Sequence, residues 1–449
     1  MNDFSRRGFL GAAGAGLAAA LNPLRGMNLT GPFAPPVKRL FTIFLRGAHD
    51  GVHTVFPVGD AAWVTMRSPL ARPTVPLAGT TFAALNQDFR ALTQNTVFSG
   101  TPPDLAGHVA WIHQAGNPLG ERSHFTEQQI YETADVQPAT SLNNEGFLPR
   151  VRQRLALAGP VPNLFGASVS RELQRMFRST HPQGPMAHVD VDRLGTGGSP
   201  TGIRQRTALT PHLTQTPNPF ATSPLALSVQ AASTFGLATE AQIQSILPLP
   251  HNALFFPADA TEAAAAGLPP SQIGYRMMRD CEAALALAMN PATSSRIVGV
   301  EMGGWDTHTD QVATRTVLDQ WLAHALRAIY ETTRSLNDRY TILVVTEFGR
   351  TNAPNSSAST AGTDHGIGGL TIVIDPAANG GVYNCHPGGG GGLGAAWGPA
   401  TTPLNAQNVA TDFRTIYAEI LQKRLGMTNA DLAQVIPGFT LQPFLNFLV

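Results

Sequence analysis

Charge is scarce in this chain of 449 residues: 13% are charged, Lys plus Arg and Asp plus Glu balance at 30 each, and no basic run of five or more occurs. That excludes the basic stripe of a nucleic-acid binder and the polybasic patch that would hold a protein on an anionic membrane. Cysteine is nearly absent. Cys281 and Cys385 are the whole complement, too few and too far apart for zinc-knuckle or redox spacings, although in an oxidising compartment the two could pair. Long hydrophobic runs are missing as well. The apolar stretch behind the N-terminus, "GAAGAGLAAAL", is short and alanine-rich, well below the ~20 strongly apolar residues that a stable membrane span needs. Glycine at 44 and proline at 35 are plentiful instead and lie scattered between apolar segments, the composition of ordered loops around a globular core. Such loops carry binding and catalytic residues.

The N-terminus holds the most specific local motif. "SRRGFL", Ser5 to Leu10, runs into that weakly apolar stretch: paired arginines, a Phe-Leu step and a small-residue region are the pattern of a twin-arginine export signal. A short N-terminal helix is the simpler alternative. Read as a signal, it predicts cleavage near Ala18 to Ala20, recognition by the twin-arginine translocase, and a folded protein delivered to the periplasm or outside the cell. That route suits a protein loaded with metal before export. The chain then divides into a signal and linker over residues 1–30 and a single domain over 31–449, with a Ser/Thr/Pro/Ala-rich insertion around 159–270.

Within the domain, "LFTIFL" (Leu40 to Leu45), "HVAWI" (His108 to Ile112), "RIVGVEM", "TILVVT" (Thr341 to Thr346) and "LTIVI" read as strands, because continuous apolar runs of this length suit strands buried on both faces. Helical patterns alternate with them: "FTEQQIYET", "YRMMRDCEAALALAMN", a long stretch from Thr316 to Leu336 with Leu318, Trp321, Leu322, Ala325, Leu326 and Ile329 at helical spacing, and "DFRTIYAEILQKRLG". Alternation of this kind predicts an α/β fold, a three-layer sandwich with a mostly parallel central sheet. Ligands of such sheets bind beyond the carboxyl ends of the strands.

Polar clusters stand at those ends: Arg46, His49, Asp50 and His53 after the first strand; Arg122, Ser123 and His124 beyond the second; Asp306, His308 and Asp310 after "RIVGVEM"; Glu347 and Arg350 after "TILVVT"; Asp364 and His365 in the next loop. Carboxylates and neutral imidazoles are the donor set for zinc, manganese or iron and, with fewer histidines, calcium or magnesium. Asp306 and His308, at i and i+2, face one side of an extended segment and can share an ion; the same pair would also serve as a turn or helix cap. Ser123 precedes the helix beginning near Phe125. It either caps that helix or, with Arg122, forms an anion site at its N-terminus.

Taken in order over nearly the whole chain, "SRRGFL", "FLRGAHDG", "RSHFTEQQIYET", "GGWDTHTDQ", "VVTEFGRT", "GTDHG" and "TDFRTIYAEIL" resemble the twin-arginine-exported family catalogued as domain of unknown function 1501, placed in the alkaline phosphatase and sulfatase superfamily. The resemblance implies an alkaline phosphatase-like core, with a hydroxyl nucleophile at a helix N-terminus beside one or two metal ions held by Asp and His at strand ends. Carried over by position, Ser123 is the nucleophile, Asp50 the first-strand ligand, Asp306 with His308 the other half of the site, and Asp364 with His365 the late ligand pair. Two departures stand out. Asp310 occupies the place where the superfamily has a histidine four residues after its Asp, and Glu347-Phe348 replaces an Asp-His pair, so that Glu347 could coordinate and Phe348 could not. His49, His53, His113 and His124 are spare imidazoles that could compensate.

The leading expectation is an exported hydrolase of phosphate or sulfate esters that uses a divalent ion such as zinc, manganese or calcium, with Arg46, Arg122 or Arg350 holding an anionic oxygen. Its partner would be an anionic small molecule or glycan. A degenerate superfamily member that binds an anionic glycan or an exported partner without chemistry is the alternative. A carboxylate-based glycosidase is a third, needing two carboxylates about 5 to 10 Å apart.

Overall fold

In the computed structural model, residues 38–449 are described apart from 78, 94–104, 138–144, 159–163, 180–185, 192–242, 244–250, 291–292, 294, 334–339 and 388–408. The strands in chain order are β1 (Arg39–Leu45), β2 (Val55–Phe56), β3 (Thr74–Pro76), β4 (Ala84–Asn86), β5 (Val109–Gly116), β6 (Gly166–Val169), β7 (Ala187–Val189), β8 (Ile297–Met302), β9 (Tyr340–Thr346), β10 (Gly369–Ile374), β11 (Gly381–Tyr383) and β12 (Thr411–Asp412). Nine of them form one sheet in the order β11-β5-β10-β9-β1-β8-β6-β7, with β12 also paired to β5, while β2, β4 and β3 make a small separate sheet. Neighbours in the large sheet are parallel except for β10, which runs antiparallel to both β5 and β9.

β1 shows why its sequence reads as an uninterrupted apolar run. Phe41, Ile43 and Leu45 pack into one core with the helices Gln272–Met289 and Gln311–Thr333. Leu40 and Phe44 pack into the other, with the helices His124–Thr133, Phe147–Ala158 and Phe413–Leu425. A strand covered on both faces cannot alternate with polar residues, and three layers follow. Local signals set the helix ends. Asp412 caps Phe413–Leu425 by accepting from Arg414 N, and Gly426 ends it in the left-handed conformation at φ 72°, an ordinary N-cap and C-cap pair.

This topology positions the site. The carboxyl ends of β1, β5, β8 and β9 share one edge of the sheet, so the loops that follow them emerge together. Because β10 is antiparallel, the loop before it arrives at that same edge. The α/β fold with a mostly parallel sheet is thus as the sequence indicates, and the direction of β10 is not something its apolar run encodes.

Inside the stretch 159–270, β6 and β7 pair into the large sheet, β6 directly against β8. Most of the rest of that stretch lies outside the described residues, as do the twin-arginine motif and much of the glycine-rich segment. Cys281 and Cys385 are buried free thiols and do not pair. Among the described residues, no helix is long and apolar enough to cross a membrane.

Candidate metal centre

Four side chains converge where the strand-end loops meet. His124 is the first residue of the helix His124–Thr133, Asp306 and His308 follow β8, and His365 precedes β10. His365 Nε2 lies 3.1 Å from His124 Nε2, 3.0 Å from His308 Nε2 and 3.2 Å from Asp306 Oδ1. His308 Nε2 is 3.1 Å from Asp306 Oδ1, and His124 Nε2 is 3.4 Å from Asp306 Oδ2. Donors at the corners of a tetrahedron with metal–ligand bonds of ~2.0–2.1 Å stand about 3.3 Å apart. The separations among His124, Asp306 and His365, 3.1 to 3.4 Å, match that spacing, and His308 adjoins the set through Asp306 and His365. The cluster is open on one side, with the Asp306 side chain 47% and that of His308 42% exposed.

The far nitrogen of each ring assigns its tautomer. His124 Nδ1 is 2.7 Å from Glu347 Oε1, His308 Nδ1 is 3.0 Å from Asp364 Oδ1, and His365 Nδ1 is 2.9 Å from the carbonyl oxygen of Arg122. Carboxylates and carbonyls only accept, so each Nδ1 carries a proton, and a ring that is neutral then turns an Nε2 lone pair inward. With the rings neutral, three lone pairs and the Asp306 carboxylate face one another. That is a set of acceptors suited to a cation, and the outer carboxylate or carbonyl on each ring is the support that metal-bound histidines characteristically have.

Buried groups hold these four in place. Burial opposes ionisation of Glu347, but hydrogen bonds from His124, from Gln128 Nε2 at 3.0 Å and from Gly47 N at 2.8 Å outweigh it and keep the carboxyl below its ordinary range. The hydrogen bond to that carboxylate in turn raises the basicity of His124, against the effect of its burial. His365 is held below its ordinary value, mainly by burial, which keeps it neutral. Burial of Asp306 is likewise outweighed, first by Arg350, whose Nη2 donates to Oδ1 at 2.6 Å. Arg350 also donates to the carbonyls of Ala48, Thr363, Gly47 and Trp305 and so ties three loops together. Gly47 adopts φ 116°, and a Cβ there would stand 2.4 Å from Asp306 N, a conformation and an approach that only glycine permits. The Phe348 ring packs against those of His124 and His365, with centroids 4.9 and 5.0 Å apart.

Several residues singled out in the sequence sit elsewhere or act differently. Asp50, expected as the first-strand ligand, is buried and ion-paired: Arg67 Nη1 donates to Oδ2 at 2.6 Å and Gln311 Nε2 at 2.7 Å. Burial opposes its charge, but Arg67 and Arg315 hold its carboxyl far below the usual range. No donor capacity remains there for an ion. Glu347 and Asp364 stand behind the cluster, accepting from the Nδ1 atoms of His124 and His308. Arg46 and Arg350, expected to hold an anion, are committed to the fold: Arg46 pairs with Glu132 at 3.0 Å and Glu301 at 2.9 Å. Arg122 is exposed and left-handed at φ 58°, and its carbonyl rather than its side chain touches the cluster. Ser123 is the N-cap of its helix, accepting from Thr126 N at 3.5 Å. Asp310, also left-handed at φ 50°, precedes the helix Gln311–Thr333 and is exposed. His49 bonds to Thr54 and Arg315, and His49, His53 and His113 lie buried away from the cluster.

Gln128, Glu132 and Arg67 also support the site, none of them at a strand end. Gln128 and Glu132 lie four and eight residues after His124, so helical periodicity places all three on one face. Nothing local marks Arg67. The profile of a family described as a protein of unknown function (DUF1501) matches residues 118–384, a span that holds all four converging side chains and leaves out Asp50. No curated protein matches the chain. With more than half its length in that match, the chain belongs to the DUF1501 family.

Proposed function

We propose that this protein is a metal-dependent hydrolase of phosphate or sulfate esters, exported by the twin-arginine route to the periplasm or beyond, on an alkaline phosphatase-like core. The observation that carries the reading is the convergence of three Nε2 atoms and Asp306, each ring held in its tautomer by an acceptor behind it. Imidazole-rich sets with one carboxylate suit zinc, manganese or iron better than calcium. A divalent ion bound there would polarise an ester oxygen and lower the pKa of a hydroxyl or water beside it. Among the described residues one group, His124, Asp306 and His365, brings its donor atoms close enough to share an ion, with His308 beside it, and Asp50 belongs to an ion pair, so the centre is read as a one-ion site.

The chain's own residues would do the rest. Ser123, beside His124 in sequence and at the N-terminus of a ten-residue helix, offers a hydroxyl among backbone N–H groups that favour an anion. Arg122 is the expected guanidinium that stays exposed. Four protein donors would also close the shell of a purely structural ion, as in a binding protein without turnover; the exposure of Asp306 and His308 favours an open coordination position. The test is metal analysis of the purified protein together with hydrolysis of p-nitrophenyl phosphate and p-nitrophenyl sulfate. About one divalent ion per chain is expected, and Asp306→Ala should lose the ion and at least ~100-fold in turnover. Metal-free protein that hydrolyses these esters at the wild-type rate overturns the reading.

A further inference from the structure

Gln311 opens the helix Gln311–Thr333 and is fully buried. Its amide joins three loops. Nε2 donates to Asp50 Oδ2 at 2.7 Å, while Oε1 accepts from Thr363 Oγ1 at 2.7 Å and from Thr307 Oγ1 at 3.1 Å. The Asp50 carboxylate is held ionised by Arg67 and Arg315 and can only accept, so the amide nitrogen must face it and the amide oxygen must face the two hydroxyls. The side chain therefore has one orientation.

Both hydroxyls belong to loops that carry the converging side chains. Thr307 lies between Asp306 and His308, and Thr363 is followed by Asp364 and His365. Thr363 N also donates to the carbonyl of Thr307 at 3.2 Å. Asp50, Thr307 and Thr363 are buried as Gln311 is, so a link lost among them leaves a polar group without solvent to replace its partner. A second path leaves the same ion pair. Arg67 Nη2 donates to the carbonyl of Thr351 at 2.7 Å; Thr351 N donates to the carbonyl of Asp364 at 2.9 Å, and Thr351 Oγ1 accepts from Asp364 N at 3.1 Å.

We propose that Gln311 is a positioning residue for the metal centre: its amide, oriented by Asp50, holds the Asp306–His308 and Asp364–His365 loops at the spacing an ion requires. The inference rests on the metal centre, whatever reaction occurs there, and gives Asp50 a part in the site at one remove from the ion. Ligand geometry must be held within about 0.5 Å to be productive, and groups that fix ligands from outside typically govern metal affinity by ~10–100-fold.

The experiment is titration of the full-length, metal-free chain with Co(II), followed through the visible absorption of the bound ion and by competition with a chelator. Gln311→Met keeps the length of the side chain and loses the amide; it should weaken Co(II) binding by ~10–100-fold and alter the spectrum. Thr307→Val and Thr363→Val each remove one hydroxyl with little change in shape and should weaken binding by ~2–10-fold. Thr307→Ser and Thr363→Ser keep the hydroxyl and should bind as the wild type does. Leu322→Ala separates positioning from stability. Leu322 is fully buried on the same helix, so this variant should unfold at a lower urea concentration yet keep the wild-type affinity and spectrum. Equal affinity in wild type and Gln311→Met, or an equal loss in Leu322→Ala, overturns the positioning role. A wild-type chain that takes up no Co(II) overturns the metal centre and this role together. One that binds the ion, loses it in Gln311→Met and cleaves no ester keeps both and loses only the hydrolase reading.

Discussion

Glu347 and Phe348 look, in sequence, like a metal site that has decayed, since an acid-histidine pair is expected there. In the folded protein neither side chain is idle. Glu347 backs the ring of His124, which supplies the imidazole from another element, and Phe348 packs against His124 and His365. Glu347 and His124 stand more than two hundred positions apart in the chain. Glu347→Gln tests this role with little change in shape. The amide oxygen can still accept from His124 Nδ1, but the charge that makes the ring a better ligand is gone. Metal affinity should fall by ~10–100-fold, measured by competition with a chelator; an unchanged affinity would show that Glu347 serves the fold and not the ion. Asp306 and His308 illustrate the limit of reading such residues locally. Their i, i+2 spacing is compatible with a turn or with a ligand pair, and the choice depends on His124 and His365, which local spacing does not bring near.

Elements explain what single positions leave open. Ser123 caps its helix as the sequence suggests, and the cap matters chiefly because it aims the next residue: His124 opens a face continued by Gln128 and Glu132, which reach Glu347 and Arg46. Packing between helices is equally specific. Gly274, on the helix Gln272–Met289, lies against Trp321 of the helix Gln311–Thr333, where an added Cβ would stand 2.2 Å from the indole. Alanine would improve helix propensity there by ~1 kcal/mol. The indole is fully buried and donates from Nε1 to the carbonyl of Pro269 at 3.0 Å, so it cannot withdraw, and overpacking of ~1–3 kcal/mol dominates. Gly274→Ala is therefore expected to destabilise the protein by up to about 2 kcal/mol in urea unfolding. A stabilised variant would mean that the two helices separate more easily than their contact implies.

For the whole molecule, the buried imidazoles set an acid limit. Burial disfavours their charged forms and Arg315 adds to it for His49 and His53; His53 and His113 are pushed down to about 3 and His49 well below its ordinary value. Unfolded, these rings take up protons below about pH 6.5, whereas folded they do not. The unfolded state then binds more protons, and stability declines as pH falls from about 6.5 towards 3, by ~1.4 kcal/mol per pH unit for each ring. Exposed His251, between Glu262 and Glu282, shifts upward because those carboxylates outweigh its burial. Its contribution is complete below the unfolded value and does not alter this slope. Denaturant unfolding of metal-free protein between pH 6.5 and 4 should show the decline, and His113→Leu should flatten it by about 1.4 kcal/mol per pH unit; equal slopes would mean that His113 is protonated in the folded state. By itself the sequence determined which runs are buried strands, where the main helices lie, and that acids and imidazoles follow the strands, because periodicity and capping are local properties. Tertiary structure alone decided that β10 runs antiparallel and so brings His365 to the common edge, that Asp50 is taken by Arg67, and that Glu347 stands behind His124. Those outcomes depend on strand order, strand direction and hydrogen bonds between residues hundreds of positions apart, which no local pattern records.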